Sequence, residues 1–423
     1  MSKIPLILLG MTVATGICSA AEPGVCSYRR TTPTQSDVAK SPVTRSNWLA
    51  AEHVRIGLQA PERFMPGVAM RSSARSTSLN KDSSPIDLDR QTAIDPDDGS
   101  QQSLRFLLDT RLYADGIIVL KDDQVLLEHY RSGFAPDSAR LLLQATRPFL
   151  TTLLAAAVER GRLAREKSVV RPLPELAGEA NLRKTSVQRL LDGRTGLTWS
   201  ADDRRQWLSA SNWGPVPAKS AVGIRSWLKA RKNWPRDAEM PVSEVGGPEG
   251  ELLVWTLESA SRQPVSHVLC ESILSAIGAQ DEAFWATDPA GTELADGLAL
   301  SLRDLARFGL ALIDARGKSG SGSVTPKWFA ESLAFAVGHG DPPPPQLQDL
   351  GEDSAWRYRF VSLGQAHQTA IVGPFGNSLF LDFDRKIVVA IFASFPRDYS
   401  ALVLRSLRSV WTGLGSAEQT QRR

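Results

Sequence analysis

Two short apolar stretches around a polar tetrapeptide give the chain its clearest local signal. Asp115 to Leu120 and Val125 to Tyr130 are rich in β-branched and large apolar residues and flank Lys121-Asp122-Asp123-Gln124, which predicts a β-hairpin. From Phe149 to Glu159 the chain is apolar over three helical turns, with Pro148 just ahead of it. Proline has no amide hydrogen and is tolerated only in a helix's first turn, so this helix is expected to start around or after Pro148. A second helix is expected at Leu252 to Glu258, and a third from Tyr399 to about Thr412. Strands are expected at Tyr358 to Ser362, Gln368 to Val372, Leu379 to Phe383 and Ile387 to Ala393.

The first residues carry a different pattern. Lys3 precedes an unbroken largely apolar run from Ile4 to Ala14, and Cys18-Ser19-Ala20 before Ala21 has the small residues of a cleavage site. This predicts a secretory signal over residues 1–20 and a secreted or periplasmic protein. No other run has the length of a membrane helix, so no transmembrane segment is expected in the mature chain. Removal of the signal leaves Cys26 and Cys270. An oxidising compartment permits a bridge between them, while the position of Cys26 in a polar arm argues against one, and the sequence leaves the pairing open.

Composition adds bounds. The 423 residues, 42% hydrophobic, suffice for one large or two modest domains. The net charge of +3 comes from 49 basic and 46 acidic residues, and no basic stripe with interleaved aromatics occurs, so nucleic acid is not an expected partner.

Further motifs complete the picture. The hairpin and helix flank Leu141-Leu142-Leu143-Gln144-Ala145-Thr146-Arg147-Pro148-Phe149, and downstream come Leu190-Leu191-Asp192-Gly193-Arg194-Thr195-Gly196-Leu197 and Leu302-Arg303-Asp304-Leu305-Ala306-Arg307-Phe308-Gly309. In this order they resemble the serine beta-lactamase and penicillin-binding-protein-like hydrolases, most closely the branch of class C beta-lactamases, esterases and 6-aminohexanoate-dimer hydrolases. The resemblance runs from about Asn47 to about Trp411. It implies an α+β fold of the beta-lactamase/transpeptidase type, an antiparallel sheet flanked by helices with an inserted helix-rich domain. The expected divisions are an N-terminal extension over 21–100, partly disordered, with Arg71 to Ser100 as loop. An alpha/beta part over 101–166 and 289–415, a helix-rich insertion over 167–288 and a disordered tail over 416–423 follow.

The resemblance also implies three catalytic elements, and the chain departs from all three. A serine with a lysine one turn later is expected at the start of the helix, where the lysine helps to handle the serine's proton. Gln144 and Arg147 stand at those positions. A carboxamide is no nucleophile, and a guanidinium keeps its proton and only donates. The second element needs a tyrosine just ahead of the helix at Leu252, but the only tyrosines are Tyr28, Tyr113, Tyr130, Tyr358 and Tyr399, and none lies between Tyr130 and Tyr358. There the chain reads Glu244-Val245-Gly246-Gly247-Pro248-Glu249-Gly250. The third, Lys-Thr-Gly or His-x-Gly, maps to Pro374-Phe375-Gly376, and Pro374 is expected at a strand start or exposed edge facing the cleft.

The family's oxyanion hole would fall on the backbone amides of Gln144 and Asn377. Backbone donors survive side-chain exchange, so Gln144, Arg147, Gly376 and Asn377 are candidate ligand residues. Arg147 could pair bidentately with a carboxylate. The expected ligand is a carboxylate-bearing peptide, lactam or cell-wall fragment, with no cofactor and no metal.

Other chemistries have weaker support. Ser78-Leu79-Asn80-Lys81 and Ser226-Trp227-Leu228-Lys229 have Ser-x-x-Lys spacing but lack the hairpin-helix context. Gly317-Lys318-Ser319 lacks the upstream glycine of a phosphate loop. Asp95, Asp97, Asp98 and Gly99 have Phe106 where a calcium loop needs its glutamate and read as a turn. His267, Cys270 and Glu271 share a helix face, but the apolar residues around them read as an ordinary amphipathic helix. The chain thus reads as an exported homologue that binds or regulates without turnover. The rival reading is an active amide, ester or beta-lactam hydrolase using Thr146, Thr151 or Ser243.

Overall fold

The computed structural model describes residues 25–33, 43–74, 79–81, 85–131, 133–214, 222–232, 234–237, 239, 246–317, 324–333, 340–364 and 367–421. The signal region and Ser243 lie outside them, as do Ser78, Lys318 and Ser319.

Fifteen strands are described. In chain order they are β1 (Cys26–Thr31), β2 (Gly67–Ser72), β3 (Asn80–Lys81), β4 (Thr92–Ile94), β5 (Gln101–Ser103), β6 (Ala114–Lys121), β7 (Gln124–Tyr130) and β8 (Arg140–Leu141). There follow β9 (Ala283–Thr287), β10 (Glu293–Leu300), β11 (Ser354–Arg357), β12 (Phe360–Leu363), β13 (Gln368–Val372), β14 (Ser378–Asp382) and β15 (Ile387–Ala393). The main sheet runs β11-β12-β13-β14-β15-β6-β7-β3 and is antiparallel except where β3 meets β7. The expected hairpin is β6–β7.

Both faces of this sheet are buried, which explains why β6 reads as a continuous apolar run. Ile118 and Leu120 face one core, while Ile117 and Val119 face a second. The first core lies under the helices α1 (Arg147–Glu159) and α5 (Leu302–Gly317), the second under α6 (Ala401–Gln421). A Cβ on Gly309 would come within 2.7 Å of Val388 and 2.9 Å of Leu381, so a glycine there lets α5 lie close against β14 and β15.

The helix-rich part contains α2 (Ala201–Ala210), α3 (Ile224–Ala230) and α4 (Gly250–Ser261), with shorter turns between. Ser200 caps α2 through a reciprocal capping box with Asp203. The insertion ends earlier than expected. β9, inside the expected span 167–288, is a central strand of a second sheet ordered β1-β2-β9-β10-β8. The sequence pattern did not announce this sheet, because three of its strands lie far apart in the chain and pair only once folded.

The N-terminal region departs from a loop as well. β1 pairs with β2 along its full length, Ile86 and Leu88 are buried, and Cys26 forms a disulfide with Cys270. Cys26 therefore lies in a strand, and the bridge ties the sheet to the helical part across 244 positions. The disulfide also removes Cys270 from any metal set, and His267 stacks on Tyr28 at 3.7 Å. Asp95 is buried and bonded to Arg111, which makes its loop an ion-paired turn. The last helix extends to Gln421 instead of ending near Thr412. Among the described residues no helix is long and apolar enough to cross a membrane.

Candidate active site

Leu143–Thr146 forms a single 3-10 turn that leads directly into α1, with Arg147 as its first residue and Pro148 in the first turn, where its missing amide costs nothing. Leu143 takes a left-handed conformation (φ 50°), a backbone strain for a non-glycine residue, immediately before Gln144. Gln144 is half-buried and Arg147 is 1% exposed.

Both side chains converge on Asp296, in the middle of β10. Arg147 donates from Nε to Asp296 Oδ1 at 2.7 Å and from Nη2 to Oδ2 at 3.1 Å. Its Nη2 also donates to the carbonyl of Gly247 at 2.9 Å. Gln144 Nε2 donates to Asp296 Oδ2 at 3.2 Å. Burial works to lower the Arg147 pKa, but Asp296 beside it prevails and raises it further. The carboxylate that Arg147 was expected to take from a ligand is supplied by the chain itself. Arg147 is therefore not a free cation, since a guanidinium this buried needs a fixed counter-charge, and only its Nη1 is left without a partner among the described residues.

The glycine-rich segment ahead of α4 allows this arrangement. A Cβ on Gly250 would stand 2.7 Å from Arg147 Cζ, so the guanidinium lies flat against the helix start only because no side chain is there. Gly246 is similarly close to Gln144, 3.2 Å from Nε2 to a hypothetical Cβ.

Further buried charges surround this pair. Glu249 accepts from Arg359 Nη2 at 2.6 Å and from Thr195 Oγ1 at 2.6 Å, and both partners of the ion pair are nearly inaccessible. Arg359 is carried by the two-residue turn of the β11–β12 hairpin, where both Tyr358 and Arg359 have positive φ, the geometry of a type I′ turn. Glu251 accepts from Trp207 Nε1 and from the Ala295 amide, both at 3.1 Å. Burial, with the charge of Asp296 adding to it, pushes its carboxyl up to about 8. Tyr399 completes the surroundings. Its hydroxyl is buried and without a partner, and burial followed by Asp296's charge pushes the phenol well above its ordinary value. The loop that carries it is held by the Phe375 amide, which donates to the carbonyl of Asp398 at 2.6 Å.

The third element is not a strand edge. Pro374–Gly376 is a buried turn between β13 and β14, with Phe375 at φ 62°. The Asn377 amide donates to Pro374 O at 3.3 Å, and its side-chain Oδ1 accepts from Arg140 Nε at 3.0 Å and from the Ala393 amide at 3.2 Å. A Cβ on Gly376 would meet Ala393 and Val403, on the α6 side of the sheet. Pro374 is therefore corrected from an exposed edge to a buried turn. The turn packs beside Leu143–Thr146, where a Cβ on Gly373 would stand 3.0 Å from the Cβ of Ala145, and its closure uses the Asn377 amide that an oxyanion hole would need.

Two of the three alternative nucleophiles are inaccessible. Thr146 and Thr151 are fully buried. The Thr146 hydroxyl accepts from the Leu298 amide at 3.3 Å, and that of Thr151 bonds the carbonyls of Pro148 and Tyr358, each at 3.0 Å. Ser226 lies exposed on α3, with Lys229 over the ring of Trp255.

A family model described as Beta-lactamase matches residues 107–403. The chain belongs to the beta-lactamase family. A 6-aminohexanoate-dimer hydrolase of Paenarthrobacter ureafaciens is 24% identical over 294 residues, which cover 67% of this chain and 73% of that protein. A Bacillus anthracis structure described as that of a 6-aminohexanoate-dimer hydrolase superposes with a TM-score of 0.73 at 21% identity, covering 93% of this chain and 99% of its own. A penicillin-binding protein homologue from Caulobacter crescentus gives a TM-score of 0.51 at 15% identity, over 73% of this chain and 96% of that one. These likenesses establish the beta-lactamase/transpeptidase-like fold.

In this member of the beta-lactamase family, Gln144 and Arg147 meet at Asp296, and sequence reasoning missed Asp296, Glu249, Arg359 and Tyr399. A signal for Asp296 was present: a lone acid within the apolar run Leu294-Ala295-Asp296-Gly297-Leu298 demands a buried partner. Nothing local marks Tyr399, which reaches the site through the tertiary fold.

Proposed function

We propose that this protein is an exported, non-hydrolytic member of the serine beta-lactamase-like family that acts by binding or regulation. The observation that carries the reading is the Gln144–Arg147–Asp296 cluster. A Ser–Lys pair works because the lysine can give up and take back a proton; a guanidinium paired with a buried carboxylate cannot. The place of the attacking oxygen holds an amide that is itself bonded to Asp296. Tyr399 does not replace it, since its phenol is held protonated and can donate but not attack.

The proposed ligand offers a carbonyl or carboxylate, as a peptide, lactam or cell-wall fragment does. Two donors support this: Arg147 Nη1 and the Tyr399 hydroxyl are both buried and unpartnered among the described residues. The apolar leader and the Cys26–Cys270 bridge support export, because disulfides persist in oxidising compartments.

The test is covalent labelling with a fluorophosphonate and a fluorescent penicillin, read by mass spectrometry. No adduct is expected. An adduct that disappears on replacing a single hydroxyl residue would establish the active-hydrolase reading instead.

A further inference from the structure

At the end of α1 opposite Arg147, the molecule has a second cleft that the acyl-transfer reading does not use. It holds about 600 Å³ and lies between the C-terminal ends of α1 and α4, with the segment Gly161–Pro172 along one side. Arg162, Lys167, Arg171 and Arg262 all line it, and no carboxylate does. All four are exposed, and among the described residues none has an ion pair or side-chain hydrogen bond.

The less exposed arginines of the chain are arranged differently. Arg55, Arg111, Arg140, Arg147, Arg303 and Arg359 are each fixed to a carboxylate. The acids near the cleft are engaged elsewhere: Glu166 with Arg165, Glu258 with Arg225, and Glu159 with the indole of Trp328. The cations could in principle complement the negative ends of two helices. That accounts for Arg162 and Arg262, which follow α1 and α4, but not for Lys167 and Arg171.

We propose that this cleft binds a small ligand carrying two or more phosphate groups. Four like charges in one concavity focus a positive field, and four cations balance two phosphate dianions. The planar forks of three arginines match phosphate oxygens bidentately. The hydroxyls of Ser168, Ser259 and Ser261 are bonded to backbone carbonyls, so recognition falls to the cations.

Calorimetry with inorganic tripolyphosphate, and co-sedimentation with phosphatidylcholine vesicles with and without phosphatidylinositol bisphosphate, distinguish a soluble from a lipid-borne source. Binding is expected in at least one arm, weakening steeply with salt. Arg162→Ala, Arg171→Ala and Arg262→Ala should each weaken it about tenfold, the loss of one charge-assisted contact. Arg63→Ala, an exposed arginine outside the cleft lining, should leave it unchanged. All substituted side chains are exposed, and circular dichroism confirms that each variant is folded. No binding in either arm at millimolar ligand, or equal weakening by Arg63→Ala, overturns the proposal. The outcome is independent of the labelling result above.

Discussion

Arg147 Nε lies 2.7 Å from Asp296 Oδ1, with both side chains almost wholly removed from solvent. A charge pair that deep is costly to break from one side, since the survivor is left buried and uncompensated. Asp296→Asn should therefore destabilise the protein by about 3–5 kcal/mol. The double variant Arg147→Met/Asp296→Leu, which removes both charges, should cost clearly less. Urea unfolding of the three proteins checks the order; a double variant as unstable as Asp296→Asn would show that the pair does not behave as a unit.

Restoring the motif should not restore acylation. In Gln144→Ser/Arg147→Lys, Asp296 remains positioned to hold the lysine protonated, and the segment leading into α4 has no tyrosine, none lying between Tyr130 and Tyr358. Intact-mass measurement after incubation with penicillin should find no adduct.

Glu251 makes stability depend on pH. Its carboxyl is raised to about 8 in the folded chain, so folding holds a proton that the unfolded chain releases above about pH 4. The stabilisation is whole below that ordinary value and is lost as pH rises through 8, amounting to roughly a few kcal/mol. Glu251→Gln cannot ionise, so its thermal midpoint should be flat over this window where the parent's falls. A parent profile that rises from pH 5 to 8 would refute the assignment to Glu251.

Reduction should weaken the fold. The Cys26–Cys270 bridge spans 244 positions and restrains the unfolded chain accordingly. Cys26→Ser should lose about 3–5 kcal/mol, seen as a lower denaturant midpoint and matched by the parent in reductant.

Tyr399→Phe removes a buried hydroxyl that has no partner among the described residues. Such a group has been stripped of water without compensation, so the variant should be more stable by about 1 kcal/mol in thermal unfolding. A loss of stability would mean that the hydroxyl is bonded in solution.

How much of this was legible in the chain depends on the range of the interaction. The β6–β7 hairpin, β13 and β15 follow from short β-branched apolar runs and turn residues within a dozen positions, and α1 was placed to within two residues by its apolar run and Pro148. The sheet containing β1, β2 and β9 was not legible, because Gly67↔Ala286 and its neighbouring pairs join segments more than 200 residues apart. The expected insertion boundary failed for the same reason.

The sequence by itself determined the family resemblance and the chemistry that Gln144 and Arg147 cannot perform, since a side chain's capacity to attack or to accept a proton is intrinsic to it. Only the tertiary structure decided where those side chains are spent. Asp296, Glu249, Arg359 and Tyr399 come from four separate segments, and burial of Arg147 became tolerable only when β10 delivered a carboxylate to it. The same folding turned the Asn377 amide inward, through a turn whose closure no local pattern announced.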